Sequence, residues 1–122
     1  MIRVLVADSN LDSHELIHDI LQINFRDARI ERAHNCESFL SKVSNAGSEY
    51  NLILYSVQME HESGKNVLPQ LFEDNPELFK RMILMAENID SSLDPSLHWL
   101  PKISKPYSLD YFGEVIKKTC AH

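Results

Sequence analysis

Glycine and cysteine are scarce in this chain, and long apolar runs are missing. Its only glycines are Gly47, Gly64 and Gly113. They never cluster, so the chain has no glycine-rich loop whose backbone amides cradle nucleotide phosphates. The two cysteines, Cys36 and Cys120, do not make a disulfide framework in a chain long enough to build its own core. They are expected to be free thiols in a reducing compartment, which points to the cytoplasm. No apolar run approaches the roughly 18 residues of a membrane span. The opening residues 1–8 enter a strand pattern at once, without the regions that define a signal peptide. Positive charge is also in deficit, with 12 Lys and Arg against 18 Asp and Glu and a net charge of −6. That balance argues against a nucleic-acid surface, which needs clustered positive charge. It suits a soluble protein that meets other proteins.

What is present fits one domain over residues 1–122. The apolar fraction is 43% and the charged fraction 25%, both ordinary for a globular chain. No repeat, low-complexity tract or linker interrupts it. Short apolar runs alternate with longer amphipathic ones. Residues 2–7, 52–55 and 82–86 are nearly continuous apolar segments, too short for helices, and read as strands buried on both faces. Residues 29–33 and 102–104 are weaker strand candidates. Between them, residues 11–25 place Ile17, Ile20, Leu21 and Phe25 on one side at helical spacing. Asn35 or Ser38 caps a second helix carrying Phe39, Leu40 and Val43. Residues 66–72 form a third, with Pro69 near its start. Residues 93–100 are a poor fourth, crowded by Pro95 and Pro101. Residues 111–119 are a fifth, with Lys117 and Lys118 suited to its negative C-terminal end.

Strand and helix alternating five times predict an α/β fold: an open five-stranded parallel sheet with helices on both faces, flavodoxin-like. With strand order 2-1-3-4-5, a topological switch falls between the first and third strands, and ligands of such folds bind beyond the carboxyl ends there. The residues expected at that place are Asp8 and Ser9 after the first strand and residues 56–59 after the third.

On these residues the chain resembles the receiver domain of bacterial response regulators, across essentially its whole length. Val4-Leu5-Val6-Ala7-Asp8-Ser9-Asn10 looks like the opening strand and its acidic pair. The stretch from Tyr50 to Met59 looks like the strand that carries the phosphoacceptor aspartate. Gly64 falls where the family has a loop glycine, and Ser104-Lys105-Pro106-Tyr107 looks like the Lys-Pro motif after the last strand. The resemblance implies two-component signalling. An aspartate takes a phosphoryl group beside a carboxylate-held Mg²⁺. A lysine and a hydroxyl contact the phosphate, and an aromatic residue on the fifth strand relays the change. It also suggests a cis peptide at Lys105-Pro106, a bond type essentially confined to X-Pro.

Carried over residue by residue, most of that machinery is missing. Ser56 stands at the acceptor position, and Ser9 stands where the second carboxylate of the acidic pair belongs, beside Asp8. Met85 takes the place of the hydroxyl residue and Lys102 that of the switch aromatic. Glu60 replaces a usual proline. Asp8 and Lys105-Pro106 remain. Mg²⁺ dehydrates reluctantly and needs carboxylate or phosphate oxygens. One carboxylate, Asp8, is therefore expected to hold it weakly or not at all, unless Glu60 or Glu87 leans in. A serine hydroxyl is protonated at neutral pH and needs an adjacent base to act as a nucleophile. The plain reading of Ser56 is a solvated loop hydroxyl capping backbone amides, and that of Asp8 is a strand-end carboxylate paired with Lys105.

The expected function is thus a pseudo-receiver: a non-enzymatic signalling module that acts by protein–protein contact, without cofactor or phosphate. An alternative keeps phosphorylation at an unorthodox site, Ser56 or a nearby carboxylate such as Glu60. Another route is modification of Ser56 by a separate kinase. A third reading, of the enzyme class, takes His14-Glu15-Leu16-Ile17-His18 as a zinc hydrolase motif. It lacks an evident third ligand, which a catalytic zinc requires. A Ser-His-Asp arrangement around Ser56 and His61 has no visible oxyanion partner. Leu93, Leu97, Trp99 and Leu100 form an apolar group whose plain reading is local packing. The resemblance also makes the face between the fourth and fifth helices, with Trp99 and Tyr107, a place for an output domain or a second copy of the chain.

Overall fold

The computed structural model of the chain describes residues 2–9, 11–25, 27–46, 49–59, 67–86, 100, 102–104 and 114–115. Five strands, β1 (Arg3–Ala7), β2 (Arg29–Ala33), β3 (Leu52–Ser56), β4 (Met82–Ala86) and β5 (Lys102–Ser104), form one parallel sheet in the order β2-β1-β3-β4-β5. This is the expected order, and the switch point lies between β1 and β3. Helices α1 (Leu11–Asn24), α2 (Cys36–Ala46) and α3 (Val67–Asp74) connect the strands, followed by a 3-10 turn at Pro76–Arg81.

Strand periodicity sorts the core onto two faces. Val4 and Val6 of β1, Leu52 and Leu54 of β3, and Ile83 and Met85 of β4 pack with Ile17, Ile20 and Leu21 of α1. The intervening Leu5, Ala7, Ile53, Tyr55, Met82 and Leu84 pack with Phe39 and Val43 of α2, Leu68 of α3, and Leu78 and Phe79 of the turn. Because successive residues of a strand point to opposite sides, a central strand covered on both faces must be apolar throughout. That explains the apolar runs of residues 4–7 in β1 and 52–55 in β3. Each fully buried aliphatic side chain contributes about 1.5–3 kcal/mol. Val115, within the span expected for a fifth helix, packs on the α1 side.

Local chemistry fixes the helix starts. Asn35, rather than Ser38, caps α2: its Oδ1 accepts from the Ser38 amide at 2.8 Å, and its carbonyl accepts from the Phe39 amide at 3.0 Å. Pro69 sits in the first turn of α3, where amides have no intrahelical partner. That helix runs on to Asp74, past the expected end at residue 72, because Asn75 and Pro76 are the first residues that stop it. The 3-10 turn was not anticipated. Pro76 opens it, and Leu78 and Phe79 bury themselves from it. Phe79 meets Phe72 edge-on at 5.0 Å. The expected helices at 93–100 and 111–119 lie largely outside the described residues, of which Leu100 is buried.

Candidate functional site

The carboxyl ends of β1, β3 and β4 converge on the α1 side of the sheet. Ser56 is the last residue of β3 and is only 1% exposed. This corrects the solvated loop hydroxyl expected there. Its polarity suggested a loop, but pairing with β4 carries the strand one residue further. Ser56 and Met85 are register partners across β3 and β4. Parallel partners point to the same side, and neighbouring strands lie about 4.8 Å apart. The Ser56 side chain therefore shares a face with that of Met85, which is fully buried in the α1-side core. Asp8 follows the end of β1, fully buried, and its amide donates to the Ala33 carbonyl at 3.0 Å. Ser9 is half-buried beside it. Residues 57–59 begin a helical turn at the rim.

Asp8, Ser9, Ser56 and Met85 are thus brought to one end of the sheet, as expected. Lys102 pairs with Leu84 in β5, which places it in the strand without describing its side chain. Lys105, and with it the expected pair to Asp8 and the Lys105-Pro106 peptide, lies outside the described residues. So do Glu60, His61, Gly64, Glu87, Trp99 and Tyr107. Among the described residues the pocket offers one carboxylate and two hydroxyls beside a thioether. His14 and His18 share helix α1, and no group of three metal-ligating side chains is found among the described residues.

Two polar arrangements escaped the sequence reading. At the rim on the α2 side, the Tyr55 hydroxyl lies 3.4 Å from Cys36 Sγ, and this thiol also donates to the Met59 carbonyl at 3.5 Å. A tyrosine in an otherwise aliphatic strand is the signal for such a contact, since a buried phenol needs a partner. At the opposite end of the sheet, Arg3 Nε donates to Glu31 at 2.5 Å, and a second Arg3 nitrogen reaches Glu49. The Tyr50 hydroxyl donates to Glu31 at 3.1 Å, and the Arg3 guanidinium lies 4.9 Å from the centre of the Tyr50 ring. The hydrogen bond from Arg3 holds Glu31 below the usual carboxylate range. Burial, then the hydrogen bond to Glu31, pushes the Tyr50 phenol up. This network ties β1, β2 and the entry to β3 together. It lies away from the switch point, so its part is structural.

No protein-family model matches the chain, and no curated protein matches it in sequence. Solved structures do match its fold. A response regulator from Thermotoga maritima superposes with a TM-score of 0.78 at 19% identity, covering 100% of this chain and 99% of that one. The signal receiver domain of a DNA-binding response regulator from Colwellia psychrerythraea 34H gives 0.77 at 13% identity, with both chains covered fully. A chain in the complex of the histidine kinase ThkA with the response regulator TrrA gives 0.76 at 25% identity, covering 98% of each. The chain therefore has the receiver-domain fold over its whole length. No helix among the described residues is long and apolar enough to cross a membrane.

Proposed function

We propose that the protein is a receiver-like module of two-component signalling that works without phosphorylation, by contact with a protein partner. The observation that carries this reading is the pairing of Ser56 with Met85 at the buried carboxyl end of β3. In a receiver fold this is the acceptor place, and it carries neither a carboxylate nor a second phosphate-binding hydroxyl. Asp8 is the one carboxylate that the described residues bring there. A magnesium ion prefers several oxygen ligands and keeps its waters tightly, so this donor set fits it poorly. A thioether is a soft ligand and adds nothing for a hard cation. A phosphoryl group on Ser56 would also be a stable ester, and no charge-compensating ion would sit beside it.

The protein therefore acts as a binding module rather than an enzyme. A partner of protein nature is supported by the solved pair of kinase and response regulator that shares this fold. The resemblance to receiver domains makes the segment that contains Trp99 and Tyr107 the first place to look for it, whether the partner is an output domain or a second copy. The test is incubation with acetyl phosphate and Mg²⁺ followed by intact mass. No phosphoryl adduct is expected. An adduct mapped to Ser56 or Glu60 would replace this reading with that of an unorthodox phosphoacceptor.

A further inference from the structure

A second surface of the molecule has the form of a docking groove. It lies on the face of the sheet opposite the Ser56 crevice, between α2 and α3, and encloses about 480 Å³. Leu40 and Val43 of α2 form one wall, Val67 and Leu71 of α3 the other, and Leu78 closes the end. Leu40 is 37% exposed, one of two large aliphatic side chains left open among the described residues. Core packing needs neither that exposure nor the gap beside it, since Phe39 and Val43 already cover the sheet from α2. The volume falls within the roughly 300–1,000 Å³ of ligand pockets. It has room for a few side chains of a helix laid along it, the mode in which i, i+3 and i+4 anchors enter a groove.

Charge selects the occupant. Asp74 is the one charged residue of the lining, and Gln70 Nε2 donates to its Oδ1 at 3.3 Å. Helices α2 and α3 both return from the carboxyl end of the sheet, so their C-terminal ends lie at the same end of the groove. Neither has a basic residue in its last turn. Two helix C-termini, each carrying about half a negative charge, thus stand with Asp74 uncompensated by their own sequences. Among the described cations of α2 and of the turn after α3, Lys42 reaches Glu31 at 3.8 Å, Lys80 reaches Glu77 at 3.3 Å, and Arg81 donates to the Tyr50 carbonyl at 2.8 Å. We propose that this groove docks the apolar face of a basic amphipathic segment of a partner protein, with a lysine or arginine placed at the Asp74 end. The proposal rests on reading the chain as a protein-contact module, and it names the chemistry of one such contact.

The probe is a synthetic helical peptide with leucines at i, i+3, i+4 and i+7 and lysines at one end, compared with a twin bearing glutamates instead. Each is titrated into ¹⁵N-labelled protein. Amide shifts are expected in residues 40–44 and 67–78, with the lysine peptide bound about tenfold or more tighter, a gap near 1.4 kcal/mol. Asp74→Asn should narrow that preference, and added salt should do the same. Leu40→Glu, at an exposed site, should leave the thermal melt in place and weaken both peptides. Equal binding of the two peptides, shifts located elsewhere, or no shifts would overturn the proposal. So would a concentration-dependent dimer that Leu40→Glu dissolves, since the occupant would then be a second copy. The acetyl phosphate experiment is independent: an adduct there would end the phosphate-free reading, whereas a silent groove would leave that reading intact.

Discussion

Ser56 is the residue at which the proposed function is decided. It ends β3 at 1% exposure, and its register partner is Met85. An aspartate introduced at this position would be a second buried carboxylate near Asp8. Like charges in one site oppose ionisation, and an uncompensated buried charge costs about 3–5 kcal/mol. Ser56→Asp is therefore expected to lower unfolding stability in urea by about 3 kcal/mol at neutral pH. The loss should shrink below about pH 6, as the raised carboxyl takes up a proton, and vanish near the unfolded value of about 3.9. Full stability at neutral pH would mean that Lys105 or another cation already compensates this pocket. The position was legible in the sequence from the family pattern. Its burial was not, because a serine after an apolar run reads as the first loop residue, and pairing across to β4 decides otherwise.

Among the elements, the edge strand β2 and helix α2 show what local pattern reveals and conceals. The central strands were plain from their apolar runs, since both faces are covered. The Arg29–Ala33 strand was fainter because it alternates charge with half-buried positions, and its Glu31 is satisfied only by residues distant in sequence. No local pattern announces an ion pair between Arg3 and Glu31. The α2 cap was visible as two candidates, and geometry chose Asn35. Asn35→Ala is expected to cost about 1 kcal/mol in urea unfolding, whereas Ser38→Ala should be near neutral. The Glu31 network adds a pH signature. Its folded carboxyl titrates below the unfolded value of about 4.3. Its contribution is present above that value and fades as pH falls through the depressed folded value. Glu31→Gln should lower stability at pH 7 by about 1 kcal/mol and flatten the acid limb of the stability curve. The Tyr50 phenol, raised in the fold, works in the other direction. Its protonated form is favoured, so stability should decline as pH rises above about 10.

At the scale of the whole molecule, the sheet order separates the carboxyl-end crevice from the packing of the body. Each face of the sheet has its own core, and both extend to β4, where Met82 and Leu84 serve one and Ile83 and Met85 the other. Met85 is a core residue at the carboxyl end of β4, so the side chain paired with Ser56 also fills the α1-side core. A working receiver gains stability from its ion and its phosphoryl group because both bind the folded state alone. A ligand at one hundred times its dissociation constant adds about 2.7 kcal/mol. Among the described residues, the crevice offers such a gain one carboxylate, Asp8. Thermal unfolding is therefore expected at the same midpoint with and without millimolar Mg²⁺, and again with beryllofluoride added. Met85→Thr, which exchanges the thioether for a hydroxyl, should lower the midpoint through the smaller buried side chain. It should still show no Mg²⁺ dependence, because the hydroxyl does not replace the missing carboxylates. A midpoint that climbs with Mg²⁺ in the unaltered protein would mean that carboxylates beyond Asp8 close on the crevice, and phosphate-free signalling would then have to be abandoned.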